Sequence, residues 1–89
     1  MTQTCPFRIR ILRLTVNDLG TTQFPRVLFW CRLAADRFGR GDFRYGIAYE
    51  GYERVGYDFW LPTPMAAFRM AVYGASLVEG LPIKVATTY

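Results

Sequence analysis

The chain has 89 residues, 52% of them hydrophobic and 17% aromatic, which is too apolar for intrinsic disorder and suits a single small domain burying roughly 60–65% of its unfolded surface. It contains no histidine, one serine (Ser76) and two cysteines without paired spacing, which removes the usual zinc sets and the common nucleophile–base pairs of enzyme sites. The net charge is +4, no run of about 18 uncharged apolar residues occurs, and Met1–Phe7 lacks the apolar stretch of a signal peptide, so a cytoplasmic location is the default expectation.

In chain order, Arg8–Val16 reads as a first strand, with Ile9 and Ile11 inward and Arg8 and Arg10 outward. The alternation then slips, because Leu12, Leu14 and Val16 continue on the opposite parity, which predicts a bulge or an early strand end. Asn17–Gln23, with Gly20, reads as a polar loop. From Pro25 to Phe38 the apolar residues Val27, Trp30, Cys31, Ala34 and Phe38 recur at helical spacing, with Pro25 suited to a first turn and Gly39 to the position after the end. Val27–Cys31 is locally rich in strand-favouring types, and the helical spacing is read over it. Cys31 then falls on the apolar face as a small buried residue.

Two alternating runs follow. Phe43, Tyr45, Ile47 and Tyr49 alternate with Arg44, Gly46 and Ala48, and Val55, Tyr57, Phe59 and Leu61 alternate with Arg54, Gly56, Asp58 and Trp60. The short polar connection Glu50–Glu53 makes them an antiparallel hairpin whose aromatic face is the inner one. In the second helix Thr63 caps and Pro64 opens, with Met65, Phe68, Val72 and Ala75 as the expected inner stripe before Gly80. Met70, Tyr73 and Leu77 lie off that stripe. An apolar second side of this kind calls for a cover, and these three residues are the candidate oligomer face of a homodimer. Ile83–Thr87 closes as a last strand with Lys84 outward.

The order strand, helix, strand, strand, helix, strand predicts an α+β, ferredoxin-like βαββαβ fold, a four-stranded antiparallel sheet with both helices on one face. The open face then collects Arg8, Arg10, Arg44, Arg54, Asp58, Trp60 and Lys84 as candidate partner-binding residues, with Gly46, Ala48 and Gly56 leaving backbone approachable between them. Arginine supplies ten of the eleven basic residues, a ratio that GC-rich coding explains as readily as phosphate or carboxylate recognition does. The same face read structurally is a solvated sheet whose arginines lie over glycines. The carboxylates Asp36 and Asp42 flank Gly39 and Gly41 in one loop and read as a polar turn before they read as a cation site. No metal, cofactor or catalytic residue is implied.

Gly56-Tyr57-Asp58-Phe59 resembles the glycine-aromatic-small-aromatic centre of the octamer of the RNA recognition motif. Met65-Ala66-Ala67 and Gly80-Leu81-Pro82-Ile83-Lys84-Val85 resemble that family's last helix and strand, Leu14–Leu19 its hexamer and Phe38-Gly39 its mid-domain pair. The resemblance covers about half the chain and implies RNA binding by base stacking on the open sheet face. The hexamer's stacking position is Thr15 here, and the octamer's leading basic position is Val55. Turning Tyr57 and Phe59 outward to stack would also turn Asp58 toward the helices, where an unpaired charge costs several kcal/mol by order of magnitude, so parity assigns the pair to the core.

In size and expected fold the chain is similar to small phage and mobile-element proteins, anti-CRISPR inhibitors among them. The leading expectation is a non-enzymatic protein-interaction module that binds and inhibits a host nucleic-acid-processing complex, protein or ribonucleoprotein, through its open sheet face, its second helix, or both. An RNA-recognition-motif-like RNA-binding domain and a homodimeric structural subunit are the alternatives.

Overall fold

The computed structural model describes residues 5–13 and 23–87. Six elements follow in the order β1 (Phe7–Arg13), α1 (Gln23–Phe38), β2 (Arg44–Glu50), β3 (Glu53–Leu61), α2 (Pro64–Leu77) and β4 (Ile83–Thr87). The strands form one antiparallel sheet in the order β2-β3-β1-β4, the ferredoxin-like α+β arrangement.

One core lies between helices and sheet. Ile9 and Ile11 of β1, Phe59 and Leu61 of β3 and Ile83 of β4 meet Val27, Cys31, Ala34 and Ala35 of α1 and Ala66, Ala67 and Met70 of α2. Alternation in the central strands therefore puts the expected side inward, and the octamer-like Phe59 is fully buried beneath the helices. β1 ends at Arg13 among the described residues; the rest of the expected strand, 14–16, and the expected loop up to residue 22 lie outside them. Leu12, the first residue of the parity slip, is half-buried on the open face opposite Gly56 and Lys84.

The capping signals of α2 are realised. Thr63 Oγ1 accepts a hydrogen bond from Ala66 N at 3.1 Å, Pro64 occupies the first turn, and Gly80 turns the chain at φ 80°. At the end of α1, Gly39 N donates to Ala35 O at 2.8 Å. Gly39 itself is required by crowding, since a Cβ there would overlap the Asp42 carbonyl oxygen. The hairpin closes more tightly than its sequence suggests. Glu50 pairs with Glu53, so Gly51 (φ 64°) and Tyr52 alone make the turn.

Three expectations are corrected. The inner face of α2 is the small-residue side, Ala66, Ala67, Met70 and Gly74, with Tyr73 and Leu77 packed against the core; Met65, Phe68 and Val72 point to solvent. Of the candidate oligomer face Met70, Tyr73 and Leu77, Met70 is therefore enclosed and withdrawn from any such contact, and Tyr73 and Leu77 are half-buried beside it. The reason is approach distance: Gly74 lies so close to β4 that a Cβ on it would sit 3.2 Å from Val85 Cγ2, and bulkier Phe68 or Val72 could not take that place. In α1, Trp30 is half-exposed, and Ala35 and Leu28 pack at the core instead. In β2 the inner-parity residues Tyr45, Ile47 and Tyr49 face the helix side yet remain 37–50% exposed, because β2 is an outer strand that the helices scarcely cover.

Candidate interaction surfaces

The open face is built in rows fixed by strand register. Arg44, Trp60 and Arg8 stand side by side across β2, β3 and β1. The next row is Gly46, Asp58, Arg10 and Ala86, and the third is Ala48, Gly56, Leu12 and Lys84. Six of the seven candidate residues thus share this face.

Arg54 does not. The pairing passes from Ala48↔Gly56 to Tyr49↔Arg54, leaving Val55 as the extra residue of a bulge. That insertion reverses parity, and Arg54 lines a helix-side groove with Arg13, Phe24, Ile47 and Tyr57. Arg13 Nη2 donates to the Arg54 carbonyl oxygen at 2.6 Å, and the Arg13 guanidinium lies 6.0 Å from the Phe24 ring centroid. The glycine in Glu53-Arg54-Val55-Gly56 is the one sequence signal that could have marked the bulge.

Asp58 sits at the centre of the open face and is nevertheless 3% exposed. Arg10 closes over it as a fork, Nε donating to Oδ1 at 2.7 Å and Nη2 to Oδ2 at 3.1 Å, and Arg8 Nη1 approaches Oδ2 at 3.9 Å. The hydrogen bond to Asp58 raises the Arg10 pKa above its ordinary value; burial opposes this, and the fields of Asp58 and Glu50 assist it. Part of the positive charge expected to meet a partner is therefore spent inside the molecule. Trp60 is half-buried, its ring leaning over Gly46, where a Cβ would lie 4.0 Å from Cζ3. Arg44 and Lys84 are exposed at opposite ends of the face.

The outer side of the helix layer presents a second, apolar surface. On α1, Phe29 (54% exposed), Trp30 and Leu33 (both 49%) project, with Phe29 and Trp30 meeting edge to face at 5.5 Å between centroids. On α2, Met65, Phe68 and Val72 are 60%, 61% and 54% exposed. Trp30, Leu33, Arg37, Phe38 and Tyr73 line a shallow groove of about 300 Å³. Helical spacing alone places Trp30, Met65, Phe68 and Val72 in the core, because hydropathy does not reveal which of two apolar sides a helix buries.

Neither cysteine forms a disulfide, and burial pushes the Cys31 thiol up to about 12. No group of three potential metal-binding side chains occurs among the described residues, and none of the described helices is long and apolar enough to cross a membrane. Comparison with protein-family models, curated proteins and solved structures finds no match to this chain.

Proposed function

We propose that this chain is a non-enzymatic, cytoplasmic protein-interaction module that docks its helix layer on a partner protein. The supporting observation is the set of six large apolar side chains, each about half exposed or more, on the outer faces of α1 and α2. Burying one such side chain is worth about 1.5–3 kcal/mol, and aromatic residues of this kind anchor protein interfaces. A protein partner accords better with this surface than nucleic acid does, since Arg10 is engaged by Asp58 and Phe59 is enclosed in the core. Trp60, Arg44, Arg8 and Lys84 on the opposite face form the secondary contact of the proposal.

The finer form of the proposal is a small phage or mobile-element protein that inhibits a host CRISPR-type complex. It rests on likeness in size and fold to such inhibitors. The test is affinity capture from host lysate with and without nuclease, combined with DNA cleavage by a reconstituted CRISPR effector in the presence of the chain. Trp30→Glu and Phe68→Glu are expected to abolish nuclease-resistant capture and inhibition while leaving the fold intact, and Trp60→Ala to weaken both. Capture indifferent to both helix variants would overturn the docking surface, nuclease-sensitive capture would favour RNA binding, and unimpaired cleavage would remove the inhibitor reading.

A further inference from the structure

The two outer strands of the sheet are unlike each other. β4 is five residues long and carries exposed Lys84, features that discourage pairing with another chain. β2 has seven residues, no proline and no lysine, and it presents Tyr45, Ile47 and Tyr49 at 43%, 37% and 50% exposure along its helix-side face. Among the described residues its outer backbone edge has no neighbouring strand.

We propose that β2 pairs antiparallel with β2 of a second copy about a two-fold axis at Ile47, fusing two four-stranded sheets into one of eight. The strand's own sequence selects a second copy as occupant. Centred on Ile47, self-pairing sets Tyr45 opposite Tyr49 of the other copy on the helix side and Arg44 opposite its Glu50 on the open side, each pair occurring twice. Neither Arg44 nor Glu50 forms an ion pair among the described residues. Neighbouring registers lose this match. Centring on Gly46 brings Asp42 opposite Glu50, a like-charge contact, and centring on Ala48 separates Arg44 from Glu50 altogether. A one-residue shift to an odd register sets Tyr45 against Glu50 and throws the two helix layers to opposite sides of the sheet.

This edge is separate from the helix-layer surface, so the dimer stands or falls independently of the proposed partner contact. Sedimentation equilibrium of the full chain over a concentration series is expected to show a transition from the 10.3 kDa monomer to twice that mass. Ile47→Lys sets two like charges on the axis and is expected to leave a folded monomer. Arg44→Glu and Glu50→Arg are each expected to weaken the dimer by about tenfold, and the double reversal to restore it, a cycle that does not depend on Ile47→Lys folding. A chain monomeric at every concentration overturns the proposal and leaves the edge to a foreign strand. A dimer that survives all three single changes overturns the edge, with loss on Phe68→Glu then assigning it to the helix layer. Failure of the double variant to recover overturns the register.

Discussion

Asp58 and Cys31 are both buried, the first in an ion pair and the second among apolar side chains. The carboxylate holds the Arg10 guanidinium in a fork, and Asp58→Asn removes the charge while keeping the shape. Breaking a fully buried pair costs about 3–5 kcal/mol. Because the Arg10 side chain is 23% exposed and can recruit water, a loss of about 1–3 kcal/mol is expected in urea denaturation of Asp58→Asn. Cys31 must stay protonated. Its thiol, raised from 9.0 to about 12 in the folded chain, keeps its proton where the unfolded chain has released it. The folded state then binds more protons between about pH 9 and 12, so the contribution is complete below pH 9 and is lost as pH rises toward 12. The slope is about 1.4 kcal/mol per pH unit. Alkaline denaturation of the wild type and Cys31→Ala should diverge in that window, the variant lacking this component. In native-state thiol labelling, half-buried Cys5 should react promptly and Cys31 only through unfolding.

Among the elements, α2 has apolar residues on both sides and buries the one with the smaller residues. Met70→Ala should cost about 2–5 kcal/mol, because Met70 is fully enclosed, whereas Phe68→Ser should stay within about 0.5 kcal/mol of wild type in the same denaturation measurement. The reverse outcome would mean that the helix is turned about its axis. Much of the fold was legible locally. The caps Thr63 and Pro64, the alternation of Tyr57, Phe59 and Leu61, and the helical spacing of Val27, Cys31 and Ala34 each announce their element, because each depends on neighbours a few residues away. What escaped depends on distant neighbours. The choice of face in α2 is made by the clearance between Gly74 and Val85. The exposure of Tyr45 and Ile47 follows from β2 being outermost, a property of strand order to which their own alternation is blind. Strict parity carried through Gly56 places Arg54 on the open face, and the bulge at Val55 breaks parity there. The rest of the candidate open-face set holds together since Arg8, Arg10, Asp58, Trp60, Arg44 and Lys84 lie on uninterrupted register.

As a whole, the molecule is thin. Its principal extents are 41 × 28 × 18 Å with a Cα radius of gyration of 12.5 Å, near the roughly 12 Å expected of a compact chain this long. The short dimension accommodates one helix layer on one sheet and a single core between them. Two layers leave part of the aromatic content uncovered, and among the described residues it emerges on the outer helix faces, along β2 and at the hairpin turn, where Tyr52 is fully exposed. Those surfaces point in different directions, so a β2-joined dimer would present two helix layers at once. A bivalent molecule of that kind gains avidity for a repetitive or paired target without any new contact. The signature is stronger partner binding by wild type than by Ile47→Lys on an immobilised dense target, with equal binding on a sparse one.

The Arg10–Asp58 fork also has a kinetic meaning. It joins residues 48 apart in the chain, whereas the β2–β3 hairpin closes on a two-residue turn. Local closure is fast, and the docking of β1 beside β3 must first meet the entropy of a long loop. The fork is therefore expected to form after the hairpin. Its removal should show mainly as faster unfolding, with the rate of folding nearly untouched, so the buried carboxylate acts as a latch on the lifetime of the native state.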